Sequence, residues 1–189
     1  MSVLQWEIER TRWGKLRAAA DPARIPGALI ALATATSEAS AMNAYWQIDN
    51  VAVVQARVFE VAEYVIFPLL LILRGSPSPW TVRCALDLLV QVTSGWPDPS
   101  EVGINDGLLE RIRDRAREGL AIVYSLLRSE DVYARDHAIE VLDSIETDRK
   151  RLIFILGKLA TVETDPNVRE LAARIINHDV GEDILLIET

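Results

Sequence analysis

The segment DVYARDHA, residues 131–138, has two gapless counterparts in this chain: PWTVRCAL at residues 79–86 and DPNVRELA at residues 165–172. Each copy begins with Asp or Pro, places a small apolar residue directly before an Arg, and has Ala or Leu three residues after that Arg. A degenerate fourth copy occupies residues 37–44, with Ala41 at the Arg position. Recurrence at intervals of tens of residues is typical of stacked structural repeats.

Apolar residues recur at spacings of three and four along most of the chain, as in residues 152–160. This period matches one face of an α-helix, so we predict an almost wholly α-helical fold. Pro68 is expected to separate a short entry helix from a main helix, because proline kinks a helix interior. The predicted helices span about Val3–Ala19, Ile25–Thr34, Ser37–Ile48, Val54–Leu73, Pro79–Thr93, Asn105–Leu127, Asp131–Ile145, Asp148–Thr161 and Pro166–Asn177.

The repeated segments resemble the second helix of a HEAT repeat, whose signature is D-x-x-V-R-x-x-A. The resemblance implies a right-handed α-solenoid of about four HEAT-like helix pairs plus an N-terminal helix. We therefore expect one domain over residues 1–189, with the N-terminal helix in 1–24, repeats over about 25–178 and a tail at 179–189. A second similarity, AYWQIDN at residues 44–50 followed by VVQ and FE, is to bacterial HEAT-like proteins, many of which are encoded near polymorphic-toxin and immunity genes.

The repeat pattern also has a direct physical interpretation. Asp131 and Asp165 are placed to cap the second helix of their repeats. The residues one before, three after and seven after each Arg share one helical face and are expected to pack on the first helix. Arg83, Arg135 and Arg169 flank that seam, where each can pair with the acidic cap of the next repeat.

Composition excludes several classes of protein. The chain has 189 residues and a net charge of −8, which argues against a protein whose main partner is nucleic acid. One Cys and two His argue against a disulfide framework and a Cys- or His-based metal centre, so we expect no metal and no cofactor. Residues 1–24 lack the apolar core of a secretory signal, and residues 61–73 are too short to span a membrane, so we expect a cytoplasmic protein.

The opposite face of the second helices is the expected concave, partner-binding surface. At 100° per residue, the positions one, five and eight after each Arg lie on this face. It is aromatic at its start and acidic in the third repeat, which fits either a solvated helix face or a groove for a basic protein. Trp46 is either buried in the seam or an interface anchor. The candidate partner-binding residues are Trp46, Asp49, Gln91, Asp136, Glu140, Asp143, Glu170 and Arg174.

These features favour a non-enzymatic protein-binding module. Its most concrete form is an immunity protein that neutralises a basic toxin domain by covering it with the acidic concave face. A generic HEAT scaffold or adaptor is the alternative within the same class. A HEAT-like alkylpurine DNA glycosylase using Trp46 and Asp49 is the alternative in another class. We identify no catalytic residue, because the sequence has no Gly-rich phosphate loop, no G-x-S-x-G and no H-E-x-x-H.

Overall fold

The computed structural model describes residues 2–75 and 78–187, with side chains described as far as residue 179. These residues are mostly helical, which confirms the all-α fold class. Three two-residue strands form a small sheet: β1 (Val53–Val54), β2 (Arg57–Val58) and β3 (Trp96–Pro97). The α-helices are α1 (Val3–Arg10), α2 (Ile25–Ala33), α3 (Glu38–Ala52), α4 (Glu60–Gly75), α5 (Pro79–Ser94), α6 (Leu108–Arg117), α7 (Leu120–Leu126), α8 (Val132–Ile145), α9 (Arg149–Val162) and α10 (Pro166–Ile187).

The helices pack in pairs around one hydrophobic core. Helix α2 packs on α3, α4 on α5, α7 on α8, and α9 on α10. The second members of these pairs are also neighbours, because α3 contacts α5, α5 contacts α8, and α8 contacts α10. A side chain on the outer face of α3, α5 or α8 therefore lies beside side chains from the next helix. None of the helices within residues 2–75 and 78–187 combines the length and the apolar character that a bilayer crossing requires.

The predicted seam and caps are confirmed. Asp131 accepts a hydrogen bond from the backbone N–H of Tyr133, and Asp165 accepts from those of Asn167 and Val168. These bonds satisfy N–H groups that have no partner within the first helical turn. The predicted seam residues are buried or partly buried: Val82, Leu86, Val90, Ala134, Ala138, Leu142, Val168, Ala172 and Ile176.

The N-terminal helix is shorter than predicted. Helix α1 ends at Arg10 instead of Ala19, and a 3-10 turn follows at Trp13–Lys15. Trp13 is buried, and its indole N–H donates a 2.8 Å hydrogen bond to the carbonyl oxygen of Ile8. Burying this large ring in the core stabilises the protein more than extending an exposed helix would.

The prediction that the fourth helix begins at Val54 is also wrong. Residues 53–58 form a hairpin in which Gln55 and Ala56 have φ of 51° and 61°, and α4 begins only at Glu60. Strand β3, which lies between α5 and α6, pairs in parallel with β2. Pro68 lies buried inside the continuous helix α4, so the predicted separate entry helix does not form. Packing of the apolar residues around Pro68 offsets the cost of about 3 kcal/mol that an interior proline carries.

Two further boundaries differ from the prediction. The single helix expected over Asn105–Leu127 is divided into α6 and α7, and the division lies at Glu118 and Gly119. A Cβ atom at Gly119 would lie 2.2 Å from the Leu70 side chain, so glycine allows this close approach to α4. Helix α10 continues to Ile187, beyond the predicted end at residue 177, and includes most of the segment expected to be a tail.

Candidate functional site

Four carboxylates on three neighbouring helices form what we call the acidic face: Asp49 on α3, Asp87 on α5, and Asp136 and Glu140 on α8. All four side chains are half-buried. Asp87 lies at the centre, because its charge acts on both Asp49 and Glu140. Within residues 2–75 and 78–179, no lysine or arginine nitrogen lies within 4.0 Å of their carboxylate oxygens.

Tyr45 connects Asp49 and Asp87. Its hydroxyl donates to Oδ1 of Asp49 over 3.4 Å, and the Asp87 carboxylate lies close enough to interact with it electrostatically. Burial, together with the neighbouring charge of Asp87, raises the pKa of Asp49 above its ordinary value. Burial acts in the same direction on Asp87, but hydrogen bonds from His137 and Tyr45 lower the pKa of Asp87. The hydrogen bonds at this end of the face therefore favour charge on Asp87 over charge on Asp49.

His137 lies between Asp87 and the two carboxylates of α8. Its Nε2 is 3.6 Å from Oδ1 of Asp87, and its Nδ1 is 3.7 Å from Oδ2 of Asp136. The ring stacks on Tyr133, with centroids 3.8 Å apart and planes 14° apart. Burial opposes protonation of His137, but the hydrogen bond to Asp87 and the charge of Glu140 raise its pKa overall.

Glu140 carries the least compensated charge of the α8 carboxylates. Burial raises the pKa of Glu140, and Asp136 raises it further by repulsion. His137 and the more distant Arg174 of α10 act in the opposite direction without reversing the shift. Moving a charged carboxylate from water into the protein costs free energy, and a cation close to the carboxylate would reduce this cost.

The structure decides between the alternatives for Trp46. Tyr45 is buried, whereas Trp46 is 51% exposed and contacts Tyr45 edge to face at 4.9 Å between ring centroids. Trp46 therefore lies at the surface beside Asp49 and not in the seam.

The remaining residues predicted on the concave face differ in exposure and in whether they have a charged partner. Gln91 is half-buried, and Glu170 and Arg174 are exposed on α10. Asp143 is not an uncompensated carboxylate, because Arg149 donates to it over 2.7 Å. Cys84 and Leu88 lie one and five residues after Arg83, so the repeat pattern predicts them on the exposed concave face. Both side chains are buried instead. They are covered because α5 lies between α3 and α8 and contacts both helices.

The structure adds an aromatic pocket that the repeat pattern does not predict. A cavity of about 180 Å³ opens between α3, α5 and α8, and Tyr45, Trp80, Tyr133 and Asp87 line it. Cys84 also lines the cavity, and burial raises the pKa of its thiol to about 11. The thiol is therefore protonated near neutral pH and is not an activated nucleophile.

Asp87 was missed because it does not occupy a predicted face position. It lies four residues after the repeat Arg, on the flank of α5. The available signal was that Asp87 is the one carboxylate in the segment PWTVRCALDLLVQVTS, residues 79–94. A single half-buried carboxylate in a largely apolar helix is typical of a side chain with a specific partner.

The predicted arginine ladder is correct at one step and different at two. Arg83 donates to both oxygens of Asp131, the cap of α8, over 2.7 and 2.9 Å. Arg135 pairs with Glu163, two residues before the predicted partner Asp165, through two bonds of 2.7 Å. Glu163 takes this place because its side chain also accepts the backbone N–H groups of Thr164 and Asp165. Arg169 donates to the backbone carbonyl of Glu163 instead of an acidic cap.

Asp136, His137 and Glu140 form a potential ligand set for a metal ion. One donor atom from each lies within 4.8 Å of the others, and all three side chains are half-buried. The expectation of no metal centre counted histidines and overlooked that Asp136 and Glu140 flank His137 on one turn of helix.

Comparison of the chain with protein-family models, with curated proteins and with solved structures found no match.

Proposed function

We propose that this chain is a non-enzymatic protein-binding module whose acidic face receives a basic region of a partner protein. One observation carries the proposal. The buried glutamates in the described part of the chain each contact an arginine, whereas the four carboxylates of the acidic face contact none. The glutamates in question are Glu63, Glu101, Glu146 and Glu163.

In the described residues of the free protein, no arginine or lysine compensates the negative charges of the acidic face. Half-burial and mutual repulsion make the charged forms of Asp49 and Glu140 unfavourable, as their raised pKa values indicate. A lysine or arginine from a partner would relieve both effects on binding. The same charges would steer a basic partner toward the face and increase the association rate.

Exposed aromatic rings next to the acidic face suit an interface anchor. Trp46 is 51% exposed and Tyr133 is 37% exposed, and the two rings lie on α3 and α8, on either side of α5. A further groove of about 790 Å³ begins at Tyr133 and Asp136 and reaches Asp165 and Val168 at the start of α10. Interfaces are enriched in tryptophan and tyrosine because these rings bury a large area with few rotatable bonds.

The finer form of the proposal is a HEAT-like, right-handed solenoid acting as a cytoplasmic immunity protein. The paired helices and the neighbouring order α3, α5, α8, α10 support the repeat architecture. In this role the acidic face covers the basic active-site region of a toxin domain, so the inhibitor performs no chemistry. A generic scaffold would use the same face for a different basic partner.

The glycosylase hypothesis requires that the same face attract phosphate. Trp46 and Asp49 do lie side by side at the surface, but Asp87, Asp136 and Glu140 surround the approach. We therefore expect no duplex DNA binding stronger than the nonspecific range of about 10⁻⁴–10⁻⁶ M at physiological salt. Fluorescence anisotropy across a salt series tests this, and salt-sensitive submicromolar binding would favour the glycosylase.

The decisive experiment compares matched variants in affinity capture from a lysate of the source organism, with proteins identified by mass spectrometry. The test variant is Trp46→Ala with Asp49→Lys. The matched control is Trp96→Ala with Glu118→Lys, which removes an equally exposed tryptophan and changes the charge equally away from the acidic face. We expect wild type and control to retain a protein with a basic surface, released by raising salt, and the test variant to lose it.

Binding rates of the captured protein then sharpen the result. Loss of an exposed charge contact lowers the association rate and the salt dependence, whereas loss of a buried pair costs about 2–5 kcal/mol. Equal capture by wild type and test variant would contradict the proposal. Loss in the control alone would move the binding surface to the segment at residues 94–106.

A further inference from the structure

The α8 end of the acidic face has a feature that a basic partner does not explain. His137 is flanked by Asp136 on one side and Glu140 one turn later, and donor atoms of the three lie within 4.8 Å of one another. The imidazole side chain is 15% exposed, so its position is restricted by packing on Tyr133. The cluster therefore combines a nitrogen donor of restricted position with two carboxylates.

Both nitrogens of His137 face oxygen atoms. Nδ1 lies 3.1 Å from the carbonyl oxygen of Tyr133 and 3.7 Å from Oδ2 of Asp136, and Nε2 lies 3.6 Å from Oδ1 of Asp87. A neutral imidazole has one N–H, so it can donate to one of these groups while its other nitrogen presents a lone pair to oxygen. A proton or a metal cation on that second nitrogen turns the repulsion into attraction, and the two carboxylates beside it favour the higher charge of a metal ion.

We propose that Asp136, His137 and Glu140 form a binding site for one divalent transition-metal ion of the zinc class. The Nδ1 atom of His137 and one carboxylate oxygen from each acid are the ligands. Asp87 accepts the Nε2–H and is a positioning residue, the carboxylate partner that metal-bound histidines commonly have. The fourth position faces the surface and takes water or a donor from a bound partner.

The ligand set determines the class of metal. Two carboxylates and a neutral imidazole balance a charge of 2+, and imidazole favours zinc, copper, nickel or iron over magnesium and calcium. Tetrahedral zinc with bonds of about 2.0–2.1 Å holds its ligand atoms about 3.3 Å apart. The observed 3.7 Å between Nδ1 of His137 and Oδ2 of Asp136 is close to this separation.

The test is a titration of metal-stripped full-length protein with Zn²⁺ by isothermal calorimetry, with Co²⁺ absorption as a report of coordination. We expect one ion per chain. His137→Gln should weaken Zn²⁺ binding by about 100-fold or more. Asp87→Asn, which leaves the ligands in place, should weaken it by about 10–100-fold, the range found for residues that position a ligand.

The other histidine provides the control. His178→Gln should leave the Zn²⁺ affinity unchanged, because the His178 side chain is 71% exposed on α10 and is not part of the cluster. Circular dichroism of each variant distinguishes loss of the site from loss of the fold. Equal Zn²⁺ binding by wild type and His137→Gln would overturn the proposal, as would tighter binding of Mg²⁺ or Ca²⁺ than of Zn²⁺.

Separate variants distinguish this site from the proposed partner-binding role of Trp46 and Asp49. The Trp46→Ala, Asp49→Lys variant should bind Zn²⁺ as wild type does, since neither residue is a ligand. A chain that binds zinc but captures no basic protein would refute the proposed function alone. A chain that captures a basic protein but does not bind zinc would refute the metal site alone.

Discussion

Two sets of carboxylates in this molecule differ in whether an arginine lies beside them. The side chains of Glu101 and Glu146 are fully buried. Arg17 pairs with Glu101, and Arg151 pairs with Glu146. The pKa of each is lowered despite burial, because several hydrogen bonds stabilise the charged form. Asp49 and Glu140 are less buried, yet their pKa values are raised. Burial raises the pKa in both sets, and only in Glu101 and Glu146 do the hydrogen bonds outweigh it.

The paired set joins segments that are distant in sequence. Arg17 and Glu101 are 84 residues apart, and Glu63 on α4 is held by Arg111 and Arg115 on α6. These pairs therefore stabilise the way the helices stack. In the described residues no lysine or arginine nitrogen lies within 4.0 Å of the carboxylates of the acidic face, and this contrast supports the proposed role in binding.

The largest loss of stability is expected from Arg135→Met. The Glu163 side chain is 3% exposed and receives both arginine bonds, so the substitution leaves a buried, unpaired charge. Breaking a pair of this kind costs about 3–5 kcal/mol, measurable by urea denaturation. The double variant Arg135→Met, Glu163→Met should recover most of the loss. A single-variant loss below about 1 kcal/mol would contradict the assigned role of the pair.

Acid should destabilise the protein through the same set of carboxylates. The hydrogen bond from Arg135 lowers the pKa of Glu163 from 4.5 to about 2. Between these values the unfolded chain takes up a proton that the folded chain does not, so stability falls as pH falls from about 4.5 toward 2. Thermal denaturation across this range measures the slope. Glu163→Gln should be less stable at pH 7 and show a smaller slope, whereas an unchanged slope would exclude Glu163 as the source.

A moderate loss is expected from Asp131→Asn. Asparagine caps helices as well as aspartate, so the substitution keeps the cap of α8 and removes the charge that Arg83 contacts. Because the Arg83 side chain is 38% exposed, the loss should be about 1 kcal/mol or less. Asp165→Asn is the matched control, since Asp165 also caps a helix but has no arginine within 4.0 Å in the described residues. Equal losses in both variants would assign the effect to the cap.

The smallest effect should have the opposite sign. Asp49→Asn removes a charge that burial and Asp87 disfavour, while the amide oxygen still accepts from Tyr45. We expect a gain of a few tenths to about 1 kcal/mol, which raises Tm by about 1–4 °C in a chain of this size. Asp143→Asn, which removes the partner of Arg149, should not raise Tm. A lower Tm for Asp49→Asn would show that the acidic face is compensated in the free protein.

Local rules predicted part of the site. The repeat pattern placed Asp136 and Glu140 on one face of α8 and Asp49 on the corresponding face of α3. It also predicted that Arg83 pairs with Asp131. The same rules failed for Asp143, because a pattern within one helix does not show that Arg149 of the next helix turns back to it. They also missed Asp87, which acquires its role from Tyr45 and His137 on two other helices.

The sequence by itself determined the helical fold, the caps at Asp131 and Asp165, and the buried side of each repeat helix. These features depend on contacts within a few residues, which the 3.6-residue period and capping chemistry specify. Only the tertiary structure decided that Tyr45 is buried while Trp46 is exposed, that residues 53–58 form a hairpin, and which carboxylates receive an arginine. Many of these contacts join residues tens of positions apart in sequence, such as Arg17 and Glu101, and form only when the helices pack.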